Sequence, residues 1–231
     1  MKPAARILAL IIAAGLLLFT SIMVKWTLAA RYSELANDWM VAWALDGKRN
    51  PTYPQIIEVE QLLRRAITLD PNNPEHHDRL SQLHLWSMAT SAGKGEAAID
   101  DIVAKGISEA RLSIAGQPGN PIAWARLLVW KAGADQLDRE FETALERTTT
   151  LGRWHVAIHG TVLNALLPRW ARLSAHDRDI LLNTGVRGLR QAPSRALKLL
   201  QRYGRLEEVC LRLVNEPRQW EKYCRKPAGR R

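Results

Sequence analysis

Eighteen consecutive residues, Ile7 to Val24 (ILALIIAAGLLLFTSIMV), carry no charge and lie between Arg6 and Lys25. At about 1.5 Å of helical rise per residue the run spans roughly 27 Å, close to the ~30 Å hydrocarbon core of a bilayer. That is enough for one crossing and too little for two. The competing reading is a cleaved signal peptide, for which Lys2 and Arg6 supply the basic start. Against it, the run exceeds the ~7–15 apolar residues of a secretory signal. Lys25 and Trp26 also interrupt the approach to a cut, and the best small-residue site, Thr27-Leu28-Ala29, is a poor one. A retained anchor is expected, with Trp26 at headgroup depth, where an amphipathic ring is favoured. Leu28, Tyr32, Leu35, Trp39 and Trp43 recur at spacings of three and four, so the helix is expected to continue past the bilayer.

Basic residues flank the run almost equally, Lys2 and Arg6 before it and Lys25 and Arg31 after it. A signal-anchor this close to the N-terminus usually keeps its short tail in the cytoplasm and exports the rest. That places residues 32–231 on the outer face of a bacterial inner membrane. Cys210 and Cys224 are the only cysteines, and neither has a second Cys or His at a metal-like spacing. In an exported chain they are candidates for a disulfide worth about 3 kcal/mol, whereas in a reducing cytosol they read as two unrelated thiols.

The rest of the chain reads as all-α. Ala, Leu and Arg dominate, Pro and Gly punctuate, and no stretch shows sustained period-two alternation between hairpin turns. Residues 32–150 hold 12 basic and 17 acidic side chains, whereas residues 151–231 hold 17 basic and 6 acidic, so the positive charge is concentrated in the last third. Arg187, Arg190 and Arg195 represent a candidate basic surface, suited to an anionic polymer or headgroup; a solvated helix face is the plainer reading. Nucleic acid is not expected as a partner, because no recognition-helix or aromatic-plus-basic module accompanies the charge. The expected division is residues 1–27 as tail and anchor, 28–150 as helical hairpins, and 151–231 as a basic helical region packed on them.

Two helix starts share one design. Asn73-Pro74-Glu75-His76-His77-Asp78-Arg79-Leu80 is echoed by Asn120-Pro121-Ile122-Ala123-Trp124-Ala125-Arg126-Leu127. Pro is tolerated at the first helical position because its missing N–H would be unpaired there, and the preceding Asn can cap. Ala66, Leu69, Asp70 and Pro71 precede the first start, and His77, Leu80, Ser81 and His84 follow it. This string resembles the junction between consecutive tetratricopeptide repeats, whose helices pack as antiparallel pairs around a concave surface. The two starts lie 47 residues apart instead of the family's usual 34, because the Thr90–Gly95 loop and a long helix over about 96–115 intervene. The resemblance covers residues 55–150 and implies an irregular array.

The anchor, this middle, the Leu151-Gly152-Arg153-Trp154 helix start, the Arg202-Tyr203-Gly204-Arg205-Leu206 turn and the two late cysteines together resemble the VpsP-type proteins of bacterial exopolysaccharide gene clusters. The resemblance implies an accessory role in polysaccharide synthesis or export and brings no catalytic residue with it.

No phosphate-binding Gly loop, nucleophile elbow or Cys-His pair is present, and no cofactor or metal is expected. His155 and His159 have helical spacing for one face but lack a third ligand, so packing is the expected role. Asp100-Asp101 and Glu207-Glu208 are adjacent pairs whose side chains diverge on a helix. His77, His84, Trp86 and Trp124 are the candidate partner groove, where imidazoles could meet an acidic ligand and aromatic faces could stack on a sugar or a partner helix. Trp124 and Trp154, at helix starts, are expected to pack. The expected function is a non-enzymatic, membrane-anchored scaffold that holds protein components of a polysaccharide synthesis or export machine. The alternatives are an assembly factor for another envelope pathway, such as cytochrome maturation, and a direct binder of anionic polysaccharide.

Overall fold

The computed structural model describes residues 3–46, 50–90 and 95–225; the Ser91–Lys94 part of the expected loop and residues 226–231 of the basic region lie outside it. Among the described residues every regular element is helical, so the all-α expectation holds. Two compact units divide at Gly116/Gln117. Residues 117–150, expected with the hairpins, fall in the second unit, where the helices over 121–133 and 139–151 pack on the C-terminal ones.

The first unit contains α1 (Pro3–Asp46), α2 (Tyr53–Leu69), α3 (Pro74–Thr90) and α4 (Glu96–Gly116), each packed on the next in sequence. From Leu10 to Val24 α1 is exposed on all sides, and it is the one described helix long and apolar enough to cross a membrane. Beyond that segment the same helix buries one stripe, Ala29, Ser33, Ala36, Met40 and Trp43. The spacing of four, three, four, three is that of a coiled-coil seam. α2 answers with Ile56, Val59, Leu63 and Ala66 at three, four, three. The helix continues past the apolar run as expected, and its buried stripe lies one residue on from Leu28, Tyr32, Leu35 and Trp39 while sharing Trp43 with that series. Leu28 and Trp39 are exposed. Small residues won the interface because Ala and Ser let a neighbouring backbone come close.

The two expected helix starts form as one design. The Asn73 side chain accepts from the Glu75 backbone N–H at 3.1 Å and that of Asn120 from Ile122 at 2.9 Å. Each satisfies an amide the first turn would leave unpaired.

The second unit contains α5 (Pro121–Gly133), α6 (Arg139–Leu151), α7 (Val156–Leu166), a 3-10 segment (Leu167–Arg172), α8 (Ala175–Gln191), α9 (Pro193–Arg202), α10 (Leu206–Leu211) and α11 (Pro217–Tyr223). Trp130, Phe141, Leu145, Leu163 and Leu166 fill its core, and α7 is central, packing on α5, α8 and α9. The Arg202–Leu206 turn works because Gly204 takes φ +65°, a left-handed conformation available to Gly without a Cβ clash. The Arg205 amide then reaches back to the Leu200 carbonyl and that of Gly204 to Gln201, which closes α9. Asp135, also at positive φ, closes α5 with the same pair of bonds.

Cys210 and Cys224 are joined, with Cα atoms 5.7 Å apart. α11 buries none of its own residues, so the covalent link and the Arg190–Glu216 ion pair at its start hold it where packing does not.

Met40→Ala is expected to destabilise the first unit by about 2–5 kcal/mol through an unfilled cavity, whereas Leu45→Ala, at an 82% exposed site, changes stability by less than ~0.5 kcal/mol. Thermal or urea unfolding of the detergent-solubilised chain distinguishes the two. Reducing the disulfide, which closes a sequence separation of 14 residues, is expected to remove about 3 kcal/mol from the second unit. α11 should then become the first site of limited proteolysis.

Candidate functional site

α2, α3 and α4 line a half-open pocket of about 200 Å³ in the first unit. Ile56, Ile57, Ile102 and Ala98 form its apolar walls. Tyr53 and Glu60 from α2, His84, Ser87 and Thr90 from α3, and Asp101 and Lys105 from α4 bring polar atoms to it. The Glu60 carboxylate is held by Arg64 and the Asp101 carboxylate by Lys105, each one helical turn away. Of the two paired cations, Lys105 is in the lining and Arg64 is not. His84 is 4% exposed, and no hydrogen bond among the described residues reaches its ring. Burial pushes its pKa below the usual imidazole value, against the pull of Glu60 and Glu109. At neutral pH it is an uncharged ring, which removes the basis for the expected attraction to an acidic ligand.

The other candidate groove residues are placed elsewhere. His77 donates through Nδ1 to Glu109 Oε2 on α4 at 2.6 Å, and its Nε2 faces the Pro71 carbonyl at 3.3 Å. Both ring nitrogens meet acceptors, so both are best served carrying hydrogens, and the Glu109 bond raises the pKa despite partial burial. Trp86 packs edge-on against Trp43, ring centroids 5.9 Å apart, and closes the α1–α2–α3 core. Trp124 belongs to the second unit, half-buried on α5, with its indole N–H donating to the Pro118 carbonyl at 2.8 Å. Of the four residues, only His84 lines the cavity.

The three basic-surface residues also part company. Arg187 is half-buried and donates to the Thr149 carbonyl at 3.0 Å; burial, then the charges of Arg153 and Arg190, push its pKa down. Arg190 pairs with Glu216. Arg195 is exposed and lies against Gly160, where a Cβ would come within 2.7 Å of its Nε. Most of the neighbouring guanidiniums are engaged as well. Arg178 and Arg205 both lie over the Trp170 ring, at 5.6 and 4.5 Å from its centre. Arg212 pairs with Asp179 at 2.7 Å, and Arg172 with Asp135. The Arg-rich third uses much of its charge to join its own helices. An exposed apolar cleft adjoins the disulfide, lined by Leu206, Leu211 and Trp220.

Trp154 is 78% exposed beneath Arg153, against the expected packing role; the buried tryptophan of this unit is Trp130. His159 is buried and bonded to Gln191 at 3.3 Å, while His155 precedes α7 and is exposed. Among the described residues no three His, Cys, Asp or Glu side chains gather as a metal site.

Two buried charged groups were not singled out from sequence. Arg79, on α3, donates to Ser33 Oγ at 2.9 Å and pairs with Glu34 at 2.7 Å and Glu75 at 2.6 Å. His76 Nδ1 lies 3.1 Å from the same Ser33 hydroxyl. Together they lock α3 to α1 just beyond its apolar segment. Lys131 is 3% exposed and is held between Asp138 at 2.6 Å and Glu140 at 3.0 Å. Burial opposes its charge, but the hydrogen bonds to Asp138 and Glu140 outweigh this and raise its pKa. Asp138 also caps α6 through the Phe141 amide. A polar residue at an apolar helical position was the signal available for both, but its partners are distant in sequence or around a turn. Compared with known protein families and with curated proteins, the chain matches none.

The histidines of α3 predict opposed pH effects. His77, raised from 6.5, contributes stability fully present below that value and lost as pH rises through its folded pKa. His76 and His84, lowered from 6.5 mainly by burial, contribute stability present above it and lost as pH falls through their folded values. His77→Gln is therefore expected to destabilise the first unit by about 1–2 kcal/mol at mildly acidic pH and by much less at alkaline pH. Urea unfolding at about pH 5.5 and pH 8 measures the difference.

Proposed function

We propose that this chain is a non-catalytic interaction scaffold anchored in a bacterial inner membrane by α1, with its helical units in the periplasm, serving exopolysaccharide biosynthesis or export. The observation that carries the reading is the continuity of α1. Its exposed apolar segment runs without a break into the stripe Ala29, Ser33, Ala36, Met40 and Trp43 that forms part of the first unit's core. A cut after Ala29, the best cleavage site in the sequence, would fall within this stripe and remove its first member. A retained anchor instead keeps the core intact and confines the helical array near its partners, which raises their effective concentration without new contacts.

Other features support the same reading. A Cys210–Cys224 bond fits an oxidising compartment such as the periplasm. The sequential helix pairs and the two Asn-Pro helix starts suit an irregular tetratricopeptide-like array that presents grooves to protein partners. The exopolysaccharide assignment rests on the whole-chain resemblance to VpsP-type proteins. Direct capture of an anionic polymer through Arg187, Arg190 and Arg195 is the weaker alternative, because two of these guanidiniums already serve intramolecular acceptors.

Three measurements test the proposal. The full-length chain should stay with membranes after alkaline carbonate extraction and keep its first residues. A reporter fused at the C-terminus should be active on the periplasmic side. Cross-linking in cells should recover envelope polysaccharide assembly proteins. A freely dissolved product beginning near Ala30, or a cytoplasmic C-terminus, overturns the anchor or its orientation; recovery of unrelated proteins alone overturns the pathway.

A further inference from the structure

Where α6 gives way to α7, the second unit gathers guanidiniums against one side of α8. Arg187 and Arg190 stand three residues apart on that helix, the spacing of surface neighbours. Arg187 donates to the Thr149 carbonyl near the end of α6 at 3.0 Å. One turn further along α8, Gln191 donates through Nε2 to the Arg153 carbonyl at 3.5 Å, and its Oε1 lies 3.3 Å from His159 Nε2. Two successive turns of α8 thereby pin the exposed turn that carries Arg153 and Trp154 against the Arg187 face.

The charges gathered there are not balanced. Both charges that bear on Arg187 are guanidiniums, Arg153 and then Arg190, and they add to burial in lowering its pKa. The hydrogen bond Arg187 makes goes to a neutral carbonyl. Glu216, on Arg190, is the one carboxylate paired with any of the three among the described residues, and Glu146 on α6 is turned to His176. Three guanidiniums against one carboxylate leave an excess of two positive charges. Elsewhere in this unit Arg172 and Arg212 meet carboxylates. Convergence of like charges destabilises a fold unless an anion answers it.

The size of the excess and the directions of the donors narrow the anion. A phosphomonoester carries about −1.5 to −2 charges near neutral pH, whereas a carboxylate carries a single one. Guanidiniums from two elements suit a tetrahedral group, which turns three oxygens outward, better than a carboxylate with two oxygens in one plane. Beside the charges lies the Trp154 ring, 78% exposed and with Arg153 5.1 Å from its centre, which offers a flat apolar face to whatever bears the phosphate.

From this arrangement we infer that Arg153, Arg187 and Arg190 form a binding site for the phosphate group of a small phosphomonoester, with Trp154 against the carbon skeleton attached to it. A soluble sugar phosphate and a phospholipid headgroup share this chemistry. The site goes beyond the scaffold role and does not depend on it. It also differs from capture of a polymer, since it receives a single tetrahedral group.

The full-length chain in uncharged detergent micelles is titrated with inorganic phosphate, glucose 1-phosphate, dihexanoyl phosphatidic acid and glucuronate, followed by calorimetry and phosphorus NMR. At least one phosphate compound should bind saturably, with a dissociation constant on the order of 1 mM at low salt. Binding should weaken severalfold between about 20 and about 200 mM sodium chloride, because exposed guanidiniums are screened. Arg153→Gln, at an exposed position, should weaken it by about tenfold. Arg187→Lys, which keeps the charge and loses the planar fork, should weaken it as well while retaining a cooperative melt. Trp154→Ala should weaken glucose 1-phosphate by about threefold and leave inorganic phosphate unchanged. Arg202→Gln, which removes one charge from the end of α9, should change neither.

Tighter binding of glucose 1-phosphate or of the short-chain lipid identifies the carrier, and either supports the site. Absence of saturable binding by every phosphate compound, or binding that Arg153→Gln leaves intact, overturns the inference. Equal loss with Arg202→Gln reduces the effect to net charge and overturns it too. Glucuronate binding as tightly as glucose 1-phosphate overturns the assignment to phosphate, and a Trp154→Ala chain with unaltered affinity for every compound overturns the role of the ring.

Discussion

Ala29, Ser33, Ala36, Met40 and Trp43 lie on one face of a helix whose preceding turns are apolar on every side. That single constraint organises the first unit. A helix is rigid over the roughly 32 Å that separate Lys25 from Asp46, so whatever holds the apolar segment also fixes the direction of α2, α3 and α4. Two kinds of contact enforce the seam. Small residues allow close approach of α2, with Ile56, Val59, Leu63 and Ala66 in matching register. The Ser33 hydroxyl, meanwhile, gathers His76 and Arg79 from α3. A buried guanidinium without partners would be strongly destabilising. Ser33, Glu34 and Glu75 therefore make the α1–α3 register specific as well as close.

Charge plays a different part in the second unit. An excess of arginine ordinarily suggests a surface waiting for an anion. Here Arg178 and Arg205 embrace Trp170, Arg212 reaches Asp179, Arg187 reaches the Thr149 carbonyl and Arg190 meets Glu216. The planar guanidinium suits this work because it donates in several directions and stacks on aromatic faces without a full desolvation of its charge. Short helices such as α10 and α11 bury little, and these bonds together with the disulfide replace the packing they lack. Arg195 is the member of the trio left exposed without a charged partner among the described ion pairs.

How much of this was legible in the chain differs by kind of signal. These two helix starts were readable because Asn-Pro acts locally, the Asn on the amide two residues away, and both copies behave alike. The Gly204 turn was readable for the same reason, since Gly takes a left-handed backbone without a Cβ clash. Continuation of α1 past the apolar run was readable from residues three and four apart, but which of its faces is buried was not, because Ala and Ser make much of the contact. His77 and Trp86 were assigned to a groove from repeat spacing alone. Their partners, Glu109 and Trp43, lie 32 and 43 residues away, and spacing along one helix does not reveal which neighbour it meets.

The amino-acid order by itself determined that the chain is helical, that one segment is apolar enough for a bilayer, where the two Asn-Pro helices begin, and that positive charge collects in the last third; the helix start read at Leu151–Trp154 is instead the end of α6 and the turn before α7. These properties follow from local propensity, short-range capping and summed charge, none of which needs a neighbour. Tertiary structure alone decided which face of α1 is buried, that α5 and α6 join the C-terminal helices, that the arginines bind their own unit, and that His84 stands without a partner at a cavity of three helices. Each of these depends on which surfaces meet across long stretches of chain. Burial and hydrogen-bond satisfaction are properties of that meeting, not of any residue considered with its sequence neighbours.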